Sequence, residues 1–352
     1  MKYDDAIDLA ECLPMFFITC RPRSGSTWLR TMFDAHPSIV IPPECQFIIN
    51  LKKKYLGLDL WTAKTVSSFI ADLKKQGLIE SWKIDWSKLR DTLLSNVYRV
   101  DYALACKLVY LYSFSCFEKG NPLAIGDKNP GYSFYSKELQ EIFPEAKFIY
   151  LCRDYRENHI SIVRAGFEMS IIAATCRKWV GYYELMKNGC ENGNLIVCRY
   201  ENLALSPENE LKKLLGFIGV PYSPTMLDYA DYAEDVKREY FTNSYAWKLH
   251  KNILLPPISN KPMEWGAHLT REEIAIADYV VGKTGEELGY KKVYGRPNVR
   301  VRAAAIFGVG LAKANFFARI FLDALPSDAR SFVDFRLRLY IEKLMRVFDL
   351  RR

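Results

Sequence analysis

The segment "MFFITCRPRSGSTWLRTMFDA" extends from Met15 to Ala35 and combines three patterns. The mostly apolar run Met15–Cys20 predicts a buried strand. A turn from Arg21 to Gly25 follows it, and Thr27–Ala35 has the apolar spacing of a helix. Because the helix begins directly after the turn, the free N–H groups of its first turn would favour an anion at the end of the strand.

The same order of strand, turn and helix recurs along the chain. It is typical of a parallel sheet with helices on both faces, so we predict a P-loop-like, three-layer α/β/α fold. Ligands of such sheets bind at the carboxyl ends of the strands. The further predicted strands are Leu123–Gly126, Lys147–Cys152 and Asn194–Arg199, and the further predicted helices are Ser136–Phe143, Glu157–Gly166 and Pro207–Ile218.

Charge and composition suggest a main domain, residues 1–294, and a basic amphipathic helical tail, residues 295–352. The tail has twelve Lys/Arg and five Asp/Glu, and so carries almost all of the net charge of +8. Because the main domain is nearly neutral, we expect no binding to nucleic acid. Within it, a mostly helical insert at 51–120 is predicted to cover the acceptor site.

The nine cysteines are scattered, with no C-x-x-C pair and no spacing typical of a metal site. This pattern predicts reduced thiols, no zinc site and a cytoplasmic location. No signal-peptide core and no apolar run of about 18 residues is apparent. In the tail, an apolar stripe from Val333 to Phe348 could contact a membrane surface, a second subunit in a homodimer, or its own domain. The first alternative would place the protein at the inner face of a membrane.

The turn after the first strand has the chemistry of a phosphate site. Ser24, Gly25, Ser26 and Thr27 supply small side chains, hydroxyls and one permissive backbone position, and Arg23 adds a charged, forked donor. A Walker A loop would have the pattern G-x-x-x-x-G-K-[ST], and the Gly-Lys pair is missing here. From the turn alone, phosphate binding and an ordinary strand–turn–helix both stay open.

Four sequence blocks, in order, resemble those of sulfotransferases that use 3′-phosphoadenosine 5′-phosphosulfate (PAPS). The resemblance covers most of Phe16–Tyr290 and leaves out the insert and the tail. It implies PAPS as co-substrate, a hydroxyl acceptor and no metal, in a family member of the bacterial type. The blocks are "RPRSGSTWLRTMFDAHPSI" (Arg21–Ile39), "FPEAKFIYLCRDYRENHISIVRAGF" (Phe143–Phe167), "VCRYENLALSPENELKKLLGFIGVP" (Val197–Pro221) and "EWGAHLTREEIAIADYVVGKTGEELGY" (Glu264–Tyr290).

The resemblance also implies the roles of the residues around the 5′ end of the nucleotide. The turn Arg23–Thr27 would hold the 5′-phosphate of PAPS. Trp28 would either stack on adenine or pack in the core. Tyr200 would reach the nucleotide.

The second block would bind the 3′-phosphate. By the resemblance, Arg153 and Ser161 hold it, and Arg164 joins them one helical turn later. For Arg153 the alternative is a salt bridge with Asp154. We expect Arg156 to be exposed.

Two further segments suggest the catalytic groups. The four histidines lie outside any "K-x-H-L-P"-like segment, whereas "HPSIVIPPECQFI" resembles the part of tyrosylprotein sulfotransferases that carries a Glu base. Glu44 would then be the base, unless it is a surface carboxylate. The segment "GDKNPGY" resembles an "N-K-D-P" segment of the same branch, which implies that Lys128 stabilises the leaving phosphate together with Arg23, unless it is a solvated turn cation.

The acceptor is less well determined. Trp61, Trp82 and Trp86 of the insert could line a pocket for a sterol, a lipid-like alcohol or a carbohydrate, or they could form a helical core. A nucleotide kinase and an inactive, membrane-associated nucleotide-binding protein are the alternative functions. A requirement for magnesium would distinguish a kinase from a sulfotransferase.

Overall fold

The computed structural model describes residues 3–324, except for 192, 233–234, 237, 239–264 and 296. The predicted apolar stripe from Val333 to Phe348 lies outside the described residues. The chain divides into two compact units. The first consists of Met1–Arg153 and Tyr182–Pro262, and the second of Asp154–Gly181 and Met263–Arg352.

The first unit contains a five-stranded parallel sheet in the order β2-β3-β1-β4-β5. This sheet confirms the predicted P-loop-like α/β fold. The strands are β1 (Met15–Cys20), β2 (Ile39–Val40), β3 (Ala124–Lys128), β4 (Lys147–Cys152) and β5 (Leu195–Arg199).

The helices follow the strands much as the periodicity predicts, and four of them make up most of the insert. In chain order the first unit contains α1 (Tyr3–Cys12), α2 (Ser26–Asp34), α3 (Phe47–Tyr55), α4 (Ala63–Leu73), α5 (Trp86–Ser95), α6 (Tyr102–Leu111) and α7 (Ser136–Ile142). Then come α8 (Tyr155–Arg164) of the second unit, α9 (Ile172–Gly189) with residues in both, and α10 (Tyr200–Leu205) and α11 (Pro207–Ile218) of the first. The second unit also has α12 (Trp265–His268), α13 (Arg271–Glu287) and α14 (Val299–Ala324).

Both faces of the sheet are covered, which is why its strands are nearly continuous apolar runs. Successive side chains of β1 point to opposite faces. Phe16 and Ile18 belong to a buried cluster that includes residues of α2 and α11. Phe17 stacks on Phe148 and contacts Phe143 on the other face.

Two strands differ from the prediction. β2 has only two residues, too few to produce a periodic pattern. β3 continues past Gly126 and includes the buried Asp127 and Lys128, which pair in register with Phe17 and Ile18 of β1. The apolar sequence pattern ends before these two charged residues, whereas the backbone pairing with β1 continues through them.

Aromatic side chains of the insert pack against one another. Trp61 and Trp82 are buried, at 3% and 0% exposed. The Trp61 ring contacts Tyr55 and Phe69, and the Trp82 ring lies 4.9 Å from that of Tyr110. These two tryptophans therefore belong to the core of the helical insert, and they give no support to a sterol or carbohydrate pocket.

The third tryptophan of the insert, Trp86, is half-buried at the start of α5. The ammonium group of Lys74 lies 5.0 Å from the centroid of its ring, which is a cation–π distance. One face of this indole is therefore occupied by a side chain of the insert itself.

In the second unit, Arg156 is buried rather than exposed as expected. Its guanidinium donates to Asp154 at 2.7 Å and lies 4.2 Å from the centroid of the Trp265 ring. The carboxylate of Asp154 thus binds Arg156, two residues along the chain. Nearby, the Tyr155 hydroxyl donates to Asp278 of α13 at 2.5 Å.

None of the described helices is long and apolar enough to span a bilayer.

Candidate active site

Predicted functional residues lie at or just after the carboxyl ends of all five strands. The loop Arg21–Gly25 follows β1, Glu44 lies four residues after β2, and Lys128 ends β3. Arg153 and Tyr200 directly follow β4 and β5. Because the strands are parallel, these residues lie along one edge of the sheet, where open α/β sheets bind ligands.

The loop after β1 has a backbone suited to an anion. Arg23 and Gly25 both have positive φ angles, 69° and 95°. A positive φ is uncommon for a residue with a side chain and costs about 1–3 kcal/mol, so the conformation at Arg23 is a strained one. Gly25 is the N-cap of α2 and has no side chain to cap the helix. The N–H groups of the first turn and the dipole of α2 can therefore serve a bound anion.

Tyr200 connects this loop with Arg153. A Cβ at Gly25 would lie 2.6 Å from Cδ2 of the Tyr200 ring, so only glycine fits beneath the ring. The Arg153 guanidinium carbon lies 4.8 Å from the centroid of the same ring, which is a cation–π distance. The ring therefore holds the loop after β1 and Arg153 in a fixed arrangement.

Lys128 is the centre of the polar network at this edge. Its ammonium group donates to Thr27 Oγ1 at 3.2 Å and to Glu44 Oε1. The Lys128 side chain is 2% exposed, whereas that of Glu44 is 38% exposed. A buried cation thus joins the first turn of α2 to a carboxylate that is partly open to solvent.

A second set of hydrogen bonds holds the Glu44 segment against the end of β3. Gln46 Nε2 donates to Asn129 Oδ1 at 3.1 Å, and the Tyr132 hydroxyl donates to the Cys45 carbonyl at 3.3 Å. The sequence analysis missed Gln46 and Asn129. In the sequence, the only indication of a role for them is that Gln46 lies near Glu44 and Asn129 directly follows Lys128.

Asp127 lies beside this network, buried in the sheet. Burial raises the pKa of its carboxyl to about 7, against the smaller opposing effects of a hydrogen bond from Tyr110 and the charge of Lys128. The Tyr110 hydroxyl donates to Oδ2. Oδ1 has no hydrogen-bond partner within the described part of the chain. Proton uptake by Asp127 is therefore favoured near neutral pH.

Trp28 has only 8% of its surface exposed. Its indole N–H donates to the Tyr229 hydroxyl at 2.7 Å, and the ring meets Tyr200 edge-on at 5.8 Å. In this arrangement the indole packs within the core cluster beside the loop. Stacking on adenine stays a prediction, and the ring would have only a small surface for it.

Ser161 and Arg164 lie on α8 in the second unit, whereas Arg153 belongs to the first. Arg164 Nη2 is 2.9 Å from His268 Nε2, within its own unit. A common 3′-phosphate site for the three residues stays a prediction.

His36 is the histidine that follows the phosphate loop most closely, and both of its ring nitrogens are engaged. Nε2 lies 2.9 Å from the Pro221 carbonyl, and Nδ1 accepts from Ser38 N–H. Burial lowers the pKa of this imidazole. His36 therefore has a structural position, which leaves Glu44 as the candidate base of this segment.

No metal site is apparent in the part of the chain that the structure describes. Across those residues, no group of three or more His, Cys, Asp or Glu side chains is arranged to hold a metal ion.

The profile of the sulfotransferase family matches residues 14–224, which is more than half of the chain. The chain belongs to the sulfotransferase family. The matched range contains β1 to β5 and every predicted site residue. PAPS is the sulfuryl donor of this family.

This sulfotransferase is similar to curated protein-tyrosine sulfotransferases. Protein-tyrosine sulfotransferase 1 of Danio rerio is 27% identical over 62% of this chain and 57% of its own length. The Drosophila melanogaster enzyme is 25% identical over 62% of this chain and 41% of its own. The chain spans about half the length of the curated relatives it matches. Among solved structures, the sulfotransferase domain from the curacin biosynthetic pathway has 20% identity and a TM-score of 0.43, covering 84% of this chain and 97% of that domain.

The predicted cytoplasmic location is wrong by this comparison, because the tyrosylprotein sulfotransferases to which the chain is similar are Golgi-resident enzymes. The prediction depended on the scattered cysteines, which indicate the redox state of the thiols and not the subcellular location.

Proposed function

We propose that this sulfotransferase transfers the sulfuryl group of PAPS to an acceptor hydroxyl, with Glu44 as the base. One observation carries the proposal: Lys128 donates both to Thr27, in the first turn of α2 directly after the phosphate loop, and to Glu44. It supports a site in which the group that binds the donor and the group that activates the acceptor share one buried cation.

The residues of the loop fit the 5′ end of PAPS. Positive φ angles at Arg23 and Gly25 and the uncapped first turn of α2 form a concave, electropositive backbone. Ser24, Ser26 and Thr27 add hydroxyl donors. An anion held here would lie at the end of β1, beside the ammonium group at the end of β3.

The 3′-phosphate would be bound by the residues that follow β4. Arg153, held against the Tyr200 ring, would provide a charge-assisted hydrogen bond to it. Ser161 and Arg164 are its expected partners. This part of the proposal depends on the resemblance of the second sequence block.

Bound PAPS would supply an activated sulfuryl group, and the chain's own groups would manage charge and protons. Glu44 accepts the proton of the acceptor hydroxyl as its oxygen bonds to sulfur. Lys128 and Arg23 balance the negative charge that appears on the 5′-phosphate when its bond to sulfur breaks. Such a transfer depends on positioning and electrostatics, and it requires no covalent enzyme intermediate.

For the acceptor, we favour a tyrosine hydroxyl over the sterol, lipid or carbohydrate alcohol expected from the insert. Two of the three tryptophans on which that expectation depended are packed in the insert core. The curated relatives with 25% to 28% identity are named as protein-tyrosine sulfotransferases. A phenol also ionises more readily than an aliphatic alcohol, which suits a carboxylate base.

The test is transfer of radiolabelled sulfate from PAPS to a tyrosine peptide, a sterol and a glycan, without magnesium. In Glu44→Gln, transfer should fall by about 10²–10⁴ because the general base is lost. Affinity for 3′-phosphoadenosine 5′-phosphate (PAP) should stay near that of the wild type. Glu145→Gln, at an exposed carboxylate just before β4 and so at the opposite edge of the sheet, is the matched control and should keep full activity.

Full transfer by Glu44→Gln would assign the base to another residue. Binding of PAP with no transfer to any acceptor would support the inactive nucleotide-binding alternative, and dependence on magnesium would point to phosphoryl transfer. Sulfation of the sterol or the glycan and not of the peptide would overturn the choice of acceptor alone.

A further inference from the structure

Helix α14 packs on the second unit through one side. Val301, Ala305, Gly308 and Ala312 are all buried. At 3.6 residues per turn, their spacing of three or four residues places them on a single side of the helix. A Cβ at Gly308 would lie 2.4 Å from the Cβ of Ala173 on α9, so the two helices approach closely there.

The other side of α14 is apolar as well, but exposed. Val299, Ile306, Phe307 and Leu311 are 82%, 72%, 69% and 37% exposed. By the same helical spacing Val299, Ile306 and Phe307 lie roughly opposite the packed side, and Leu311 lies at its border. Single exposed apolar residues are common on proteins, whereas four on one helix face indicate an interaction surface.

The charges on α14 indicate the chemistry of the partner. Arg300, Arg302 and Lys313 are all exposed on this helix. The sequence between Glu287 and Asp323 contains no acidic residue. Long basic side chains beside an apolar face can reach lipid phosphates while the apolar groups enter the acyl boundary. The combination therefore favours an anionic lipid surface over an acidic or neutral protein groove.

We propose that the exposed face of α14 is a docking surface for an anionic membrane, on which the helix lies parallel to the bilayer. This surface consists of Val299, Ile306, Phe307 and Leu311. Arg302 and Lys313 flank it on one side, and Arg300 lies beside Val299 at the start of the helix. It uses no residue of the apolar stripe predicted at 333–348. The inference does not depend on the proposed sulfuryl transfer, since no residue of α14 belongs to the candidate active site.

The test is flotation of the purified full chain with phosphatidylcholine vesicles, with or without phosphatidylserine. The wild type should bind the vesicles that contain phosphatidylserine. The double variant Ile306→Asp/Phe307→Asp should lose at least about tenfold in binding, because two large apolar side chains no longer enter the lipid. Leu205→Asp, at a residue that is 68% exposed on α10, is the matched control and should bind like the wild type.

A second variant, Arg302→Glu/Lys313→Glu, leaves the apolar face intact and should weaken binding by about fivefold or more per residue. Both variants change exposed positions, so their melting temperatures should match that of the wild type. Equal binding by the wild type and the Asp double variant, or equal binding to neutral vesicles, would overturn the proposal.

Two further outcomes would assign the face to another occupant and so overturn the proposal. If sedimentation shows that the wild type is a dimer and the Asp double variant a monomer, and neither binds vesicles, the face would be assigned to a second copy of the chain. A lower melting temperature in that variant, again with no vesicle binding, would assign it to another segment of the same chain.

Discussion

Replacement of Gly25 by alanine should damage the phosphate loop in two separable ways. The backbone φ of 95° lies in the left-handed region, where an alanine costs about 1–2 kcal/mol. The new Cβ would also lie 2.6 Å and 2.8 Å from two carbons of the Tyr200 ring. The ring must move, and such overpacking typically costs about 1–3 kcal/mol. We therefore expect Gly25→Ala to lower the free energy of unfolding by about 2–5 kcal/mol in total.

The matched control is Gly219→Ala. Gly219 ends α11 with a φ of 84°, and a Cβ there would meet nothing within 4 Å. This variant should show only the backbone cost, about 1–2 kcal/mol. Urea unfolding of both variants gives the two values. The difference between them measures the steric conflict with the Tyr200 ring.

A double-mutant cycle with Tyr200→Ala then tests the cause. Once the ring is removed, Gly25→Ala should cost no more than Gly219→Ala, so the two mutations should couple by about 1–3 kcal/mol. Gly25→Ala alone should also weaken PAP binding, whereas Gly219→Ala should not. Equal costs for the two glycine variants, with no coupling to Tyr200, would refute the reasoning.

Three more predictions concern the rest of the edge. Arg153→Ala should weaken PAP binding by about 10- to 100-fold in calorimetry, the effect of one hydrogen bond to a charged group, while the exposed control Lys212→Ala should change nothing; near-normal affinity in Arg153→Ala would remove its assignment. Gln46→Ala should slow transfer while PAP affinity is kept, because Gln46 anchors the Glu44 segment to the end of β3; a parallel loss of affinity would contradict this role. Asp127→Asn should flatten the pH dependence of stability, since the folded carboxyl, with its pKa of about 7, keeps a proton that the unfolded chain releases near pH 4. The free energy of unfolding of the wild type should accordingly fall, relative to this variant, by up to about 4 kcal/mol as the pH rises from 4 to 7. If urea unfolding gives both proteins the same dependence of this free energy on pH, the result would count against the buried acid.

The sequence was sufficient for the framework of the site. The apolar runs of β1, β4 and β5 were predicted within one residue, because strands buried on both faces have a strong local pattern. The helices α2, α8 and α11 were predicted within two residues, whereas the short α10 directly after β5 was missed. The phosphate loop was found from small residues, hydroxyls and a helix start, which are also local. Each of these signals lies within a dozen residues of chain.

The interactions that position the site could not be predicted in this way. Lys128 and Glu44 are 84 residues apart in the chain, and Gln46 and Asn129 are 83 apart. No periodicity relates such residues, and it is the parallel pairing of β2 with β3 that brings the segments after the two strands together. The core position of Trp61 was one of two open alternatives, since an aromatic side chain has the same sequence pattern in a core and in a pocket.

The most direct test of the central claim is calorimetric titration of the protein with PAP and, in parallel, with ATP, in the absence of magnesium. The account predicts tight binding of PAP and much weaker binding of ATP, because the loop after β1 and Arg153 would engage the 5′- and 3′-phosphates together. Equal affinity for the two nucleotides, or no binding of PAP, would contradict a PAPS site at this edge of the sheet.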